Sequence, residues 1–147
     1  LGIVGLVPVI GCGLGAMGAG SDADRLLAIL IAYCAVILSF LGGMQWGLAL
    51  PGGTTPRVQR WRLILGVLPP LIGWVALMIS LVLPDWIALA LLTAGFIGVI
   101  VAEHRSVQRG IEMPRGYLWL RWGLSVVTIA MLVTVLTLRL LHLTVTV

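Results

Sequence analysis

Long apolar segments alternate with short polar connections along the whole chain. Five of them approach the roughly 20 apolar residues that a transmembrane helix needs: about 1–20, 26–50, 63–83, 86–102 and 117–141. The fourth is short, so we expect its helix to continue into the next connection. None shows the period-two alternation of barrel strands, and lipid admits only helices or closed barrels. The sequence therefore predicts an all-α integral membrane protein, with residues 1–147 forming one bundle of about five transmembrane helices.

The composition agrees with a surface that faces lipid. Hydrophobic residues make up 61% of the chain, charged residues only 10%, and the mean hydropathy is +1.17. A soluble domain carries about 25% charged residues, so this chain has too little charge for a water-facing surface. The net charge of +4 does not indicate nucleic acid, because the basic residues flank apolar spans. We expect membrane lipids as partners, with anionic headgroups beside the arginines.

All nine basic residues are arginines, and they are unequally divided between the two membrane faces. With five spans, the second and fourth connections share one face, which collects Arg57, Arg60, Arg62, Arg105, Arg109, Arg115 and Arg121. The positive-inside rule places this face and the N-terminus in the cytoplasm, or in the matrix if the protein is mitochondrial. The predicted location is the bacterial inner membrane, with these seven arginines contacting anionic headgroups.

The second span carries a row of small residues with an amide and an aromatic ring near its end: Ala35, Ser39, Gly42, Gly43, Gly47, Gln45 and Trp46. Positions four apart form a ridge on a helix, and small residues lower that ridge into a groove. In lipid, close van der Waals contact must hold helices together, because no hydrophobic effect does so. The row therefore predicts helix packing within the chain or docking of another subunit.

Few side chains in this sequence suit catalysis or transport. The ionisable groups of greatest interest all lie near span ends: Glu103, His104, Arg121, Arg139 and His142. A proton relay across the membrane therefore lacks stepping stones, and the two arginines are expected to snorkel to the headgroups. The two histidines differ in depth by nearly a bilayer, so they cannot ligate one haem. We expect no catalytic, cofactor-binding or metal-binding residues, no cofactor and no enzyme activity.

One block of the sequence resembles a known family signature. Residues 33–50, YCAVILSFLGGMQWGLAL, carry the matching positions Tyr33, Ile37, Ser39, Phe40, Gly42, Gly43, Trp46 and Gly47. LPPLIGW at 68–74 and PRGYLWLRWGLS at 114–125 are similar to later blocks of the same family. It is a small membrane protein family of unknown function that includes the mitochondrial transmembrane protein sixty-nine and proteobacterial proteins. Its members commonly carry His where this chain has Gln45. The resemblance implies a multi-pass membrane protein and supplies no activity.

Three hypotheses of function follow. The leading one is a structural or accessory subunit that packs against a larger respiratory or photosynthetic membrane complex through the second helix and the arginine loops. The alternative is a binding module for a lipid, quinone or pigment, with a pocket lined by Trp46, Trp74, Pro69 and Pro70. The third is a component of a transporter or channel, which requires an oligomer to build a polar path.

Overall fold

A computed structural model shows a helical bundle and describes residues 2–18, 21–49, 55–108 and 115–145. A 3-10 helix at Gly2–Leu6 leads into five α-helices: α1 Val7–Ala16, α2 Ser21–Ala49, α3 Pro56–Val82, α4 Asp85–Gln108 and α5 Arg115–Val145. These described ranges contain no strand. The all-α prediction is confirmed.

Four of these helices, α2 to α5, are long and apolar enough to cross a membrane. The first apolar segment differs from them, because its helical part at Val4–Ala16 is shorter. At 1.5 Å per residue it reaches roughly 20 Å, less than the roughly 30 Å of a hydrocarbon core. It packs against α2 and α5. The four long helices alternate in direction, so the α2–α3 and α4–α5 connections lie at the same end of the bundle, which we call the arginine end.

Helix α2 lies at the centre of the bundle and contacts α1, α3 and α4. Its fully buried apolar side chains form the core with those of α4 and α5: Leu27, Leu30, Ile31, Cys34, Leu38, Leu89, Leu92, Phe96 and Leu132. Polar contacts also join distant parts of the chain. The Tyr33 hydroxyl donates to the Gly5 carbonyl at 2.9 Å, and Arg139 pairs with Asp24 at 2.8 Å.

The closest backbone approach joins α2 and α3. A Cβ atom added to Gly42 would lie 2.6 Å from the Gly66 carbonyl oxygen and 2.7 Å from Cδ of Pro70. One added to Gly73 would lie 2.9 Å from the carbonyl oxygen of Ala35. These distances leave no room for a side chain. The two backbones therefore touch directly, which is how helices gain van der Waals contact in lipid.

Trp46 completes the contact between α2 and α3. Its indole ring covers Gly66 so closely that a Cβ atom there would overlap the ring. The indole N–H donates to the Leu63 carbonyl at 3.2 Å. The aromatic ring that the sequence assigns to the headgroup level is thus also a packing residue, with 48% of its surface still exposed.

The row of small residues that the sequence predicts divides between two faces. Ala35 and Gly42 contact α3, whereas Gly43 and Gly47 have no atom within 4 Å of a Cβ position. The Ser39 hydroxyl donates to the Ala35 carbonyl at 2.8 Å, a bond within its own helix. Each step of four residues advances about 40° beyond a full turn of 3.6 residues, so such a row turns away from a straight partner helix.

Gly42 and Gly43 provide a matched pair that tests this contact. We expect Gly42→Ala to destabilise the protein by about 1–3 kcal/mol, because the added methyl group pushes two backbones apart. Gly43→Ala should be neutral or stabilise by up to about 1 kcal/mol, since alanine favours a helix interior where space is open. Thermal unfolding in a mild detergent, followed by circular dichroism, measures both. Equal unfolding temperatures for the two variants would refute the contact.

Candidate functional site

Three polar side chains from three helices lie at one depth near the arginine end. Gln45, Glu103 and Arg121 each occupy a position two residues inside the end of a candidate span, in α2, α4 and α5 respectively. Two residues correspond to roughly 3 Å along a helix axis. Antiparallel neighbours therefore bring the amide, the carboxylate and the guanidinium together, and we call this set the polar layer.

The polar layer is buried and internally bonded. The Arg121 guanidinium forms an ion pair with Oε1 of Glu103, and Gln45 Nε2 donates to the same oxygen at 3.1 Å. Arg121 also donates to the Leu41 carbonyl at 3.1 Å. Gln45, Glu103 and Arg121 are only 4%, 2% and 4% exposed, so water and headgroups do not compete for these bonds. The layer ties α2, α4 and α5 to one another.

The burial of Arg121 differs from the expectation that it snorkels to the headgroups. Its side chain turns into the bundle because the Glu103 carboxylate and a free lone pair of the Leu41 carbonyl compensate its charge there. The sequence alone indicates no partner for Glu103. In the structure, its carboxylate supplies the negative charge that compensates Arg121. One signal in the sequence points to the pair: opposite charges lie at equal depth on either side of one connection.

Two rings adjoin the polar layer. The indole of Trp122 lies beside the Glu103 carboxylate. The ring of His104 packs against Trp122, with centroids 5.7 Å apart and planes inclined at 52°. His104 is exposed, whereas Trp122 is half-buried. The pair shields the carboxylate at the arginine end of the bundle.

A lateral groove of about 400 Å³ opens between α2 and α5, next to the N-terminal 3-10 helix. Its walls are mostly apolar: Leu6, Val36, Ile37, Phe40, Leu41, Met44, Phe96, Leu120 and Leu124. Arg121 lines its arginine end, Tyr33 lines the other end, and Ser125 and Thr128 lie between them. The stretch from Tyr33 to Met44 spans roughly 16 Å of helix. We call this space the α2–α5 groove.

The pocket that the sequence predicts is not assembled as expected. Trp74 is 59% exposed on α3, and Trp46 lies over Gly66. Pro69 lines a smaller cavity of about 160 Å³ between α2, α3 and α4 together with Gln45. None of these residues lines the α2–α5 groove. The difference arises because Pro70 packs against Gly42 of α2, where the backbones of α2 and α3 touch.

The seven arginines predicted to meet headgroups occupy different environments. Arg57, Arg60 and Arg105 are exposed at the arginine end. Arg62 is only 5% exposed, so it faces the bundle interior like Arg121 and not the headgroups. It lies five residues after Arg57, a rotation that carries it to the opposite face of α3. The side chains of Arg109 and Arg115 lie outside the described residues.

Among the side chains that the structure describes, no three from His, Cys, Asp and Glu come together as metal ligands. Cys12 and Cys34 are free thiols, and Cys34 is buried in the core. The polar layer itself offers one carboxylate, already paired with a guanidinium. The described arrangement can therefore hold three helices in register and form one polar end of an apolar groove.

Comparison with known proteins places these features in a family. A family profile described as "Protein of unknown function (DUF3429)" matches residues 1–137. Transmembrane protein 69 of Xenopus tropicalis is 29% identical over 133 residues, which is 90% of this chain and 51% of that protein. The chain thus spans about half the length of this curated relative. No solved structure matches.

Removing one partner of the buried ion pair should destabilise the protein more than replacing both partners with uncharged residues. Glu103→Gln leaves the Arg121 charge buried without its counter-charge, so we expect a loss of about 3–5 kcal/mol. Adding Arg121→Met to that variant should recover most of the loss. Asp24→Asn is the matched control, because it breaks an ion pair that is largely exposed and worth at most about 1 kcal/mol. Thermal unfolding in mild detergent measures all three. If Glu103→Gln unfolds no earlier than Asp24→Asn, the polar layer does not stabilise the bundle.

Proposed function

The chain belongs to the family described as "Protein of unknown function (DUF3429)", and from its geometry we propose that it binds a lipophilic ligand in the α2–α5 groove. This ligand is a lipid or a quinone. The chain is a multi-pass membrane protein with four long apolar helices. The observation that carries the proposal is the lateral groove of about 400 Å³ within this bundle. Ligand sites in proteins commonly have volumes of about 300–1,000 Å³ and mostly apolar walls with a few polar groups.

The distribution of polar groups along the groove supports an elongated ligand. Arg121 and the polar layer close the arginine end, where a polar headgroup or ring carbonyl would meet a guanidinium. The middle of the groove is apolar apart from Ser125 and Thr128, and the Thr128 hydroxyl already donates to the Leu124 carbonyl at 2.9 Å. An apolar tail fits this stretch, because most of its walls are apolar and the Thr128 hydroxyl needs no partner from the ligand.

The wider proposal places the protein in the bacterial inner membrane, with the arginine end in the cytoplasm and with a non-enzymatic role. The exposed Arg57, Arg60 and Arg105 at one end of the bundle support this orientation. The described residues offer an ion pair and an amide at the polar layer, and both are engaged in contacts between helices. Such groups support binding and packing.

An accessory subunit of a larger membrane complex is the second candidate, and one observation favours it. Gly43 and Gly47 form an open strip on α2 that no part of the described chain covers. Glycines at spacing four allow a second helix to approach closely in lipid. A respiratory or photosynthetic complex would then dock on this strip.

A transporter or channel has less support. Between the polar layer and the ion pair of Asp24 and Arg139, the sequence of α2 to α5 contains no Asp, Glu, Lys, Arg or His apart from Arg25 and Asp85 near the opposite end. A polar path would have to come from several copies.

Ligand extraction tests the leading proposal. After purification in mild detergent, mass spectrometry of the extract should show one lipid or quinone at near-stoichiometric amount, enriched over the bulk membrane. Val36→Trp and Leu124→Trp fill the groove and should abolish the enrichment. Ile29→Trp is the matched control, because Ile29 is an exposed residue of α2 that does not line the groove.

Two outcomes would contradict this proposal. One is an extract that contains only bulk lipid in membrane proportions. The other comes from a photoreactive residue at Phe40, which lines the groove. Crosslinking of this residue to protein instead of lipid would show that a polypeptide fills the groove.

Copurification tests the second candidate. Gly43→Leu should leave the fold intact, because its side chain enters open space. If the strip docks a subunit, the tagged wild-type protein at native abundance should retain a stoichiometric membrane partner that Gly43→Leu loses. Val133→Trp, an exposed change on α5, should retain it. A wild-type protein without a stoichiometric partner would exclude the accessory role.

A further inference from the structure

A second groove, separate from the α2–α5 groove, lies between α3 and α4 at the arginine end. It has a volume of about 920 Å³, and its rim carries the guanidinium groups of Arg57, Arg60 and Arg105. Its walls include Trp61, Ile64 and Val101. Among the described residues that line it, none carries a carboxylate. From this arrangement we infer that the α3–α4 groove is a binding site for an anionic phospholipid, with its phosphate at the rim and an acyl chain between the helices.

The positive charge of the rim complements the negative charge of a phospholipid headgroup. Arg57 and Arg60 lie in the first turns of α3, and Arg105 lies in the last turn of α4, so two antiparallel helices bring three positive charges to one rim. All three side chains are exposed. Guanidinium groups bind phosphate oxygens through paired hydrogen bonds, and basic pockets between transmembrane helices recognise anionic headgroups.

The apolar walls favour a phospholipid over a free anion as the ligand of this groove. Ile64 lies four residues after Arg60 and Val101 four residues before Arg105, so both walls run from the rim towards the bilayer centre. Both side chains are exposed, at 51% and 42%. Trp61 is 44% exposed beside the rim, which matches the position of aromatic rings at the headgroup level. A free phosphate would use the rim alone, whereas a phospholipid uses the rim and the walls.

Gly98 lines this groove and also borders the smaller cavity of about 160 Å³ between α2, α3 and α4. A Cβ atom there would have no neighbour within 4 Å, so Gly98 faces open space and not a packed contact. The two features of the site can therefore be removed separately. Replacing the arginines removes the charge, and a large side chain at Gly98 fills the space while leaving the charge in place.

Native mass spectrometry from nanodiscs tests the site, with phosphatidylglycerol and phosphatidylcholine as the two lipids. We expect the wild-type protein to retain phosphatidylglycerol in preference to phosphatidylcholine. Each Arg→Gln change at Arg57, Arg60 or Arg105 should weaken retention about fivefold, and the triple variant about a hundredfold. Gly98→Phe should weaken it as well, although it removes no charge. Arg25→Gln, an exposed arginine at the opposite end of the bundle, should leave it unchanged.

Three other outcomes of these measurements would contradict the proposed phospholipid site. Equal retention of the two lipids, or a triple variant that behaves like Arg25→Gln, would overturn the inference. If millimolar inorganic phosphate displaces the lipid while Gly98→Phe has no effect, the rim binds a free anion. Because Gly98 and the three arginines do not line the α2–α5 groove, failure here leaves the proposed ligand of that groove untouched.

Discussion

The contact between α2 and α3 is the constraint on which the rest of the bundle depends. In lipid, an exposed leucine gains little by moving against another helix, so helices associate where their backbones come close. Gly42, Gly66 and Gly73 permit that approach, and the Trp46 ring closes its arginine end. With α3 held in this way, the opposite face of α2 is left for α1 and α4, and the core side chains from Leu27 to Leu38 fill the space between them.

The sequence predicts this contact only in part, for a geometric reason. A row at spacing four looks continuous in the sequence, yet on a straight helix it has turned by about 120° between Ala35 and Gly47. A row that alternates steps of four and three, through Ala35, Ser39, Gly42 and Trp46, stays within about 40° of one direction. In the structure, Ala35, Gly42 and Trp46 of that second row contact α3. The number and type of helices follow from hydropathy alone, whereas the facing residues depend on rotation about each helix axis.

The polar layer was harder to predict, because no single residue reveals it. Taken alone, Arg121 near a span end is a snorkelling arginine, and Glu103 in a short polar segment is a surface carboxylate. Their burial requires that α4 and α5 turn these positions towards each other and that Gln45 on α2 lies at the same depth. Equal depth is readable from the sequence, but helix rotation is not. An isolated charge at this depth is costly, so opposite charges at matched depth are the signal to seek.

The polar layer and the α2–α5 groove share one residue. Arg121 belongs to both, since its guanidinium pairs with Glu103 and its side chain lines the groove. The layer ties these helices together at the arginine end, and the groove runs from there between α2 and α5. For the ligand proposed above, this geometry offers a mostly apolar groove that ends at the ion-paired guanidinium of Arg121. A molecule that enters from the arginine end would meet the polar layer, where Gln45 and Arg121 both bond Oε1 of Glu103. The ion pair that we expect to stabilise the bundle would thus also favour the lipophilic ligand that we propose.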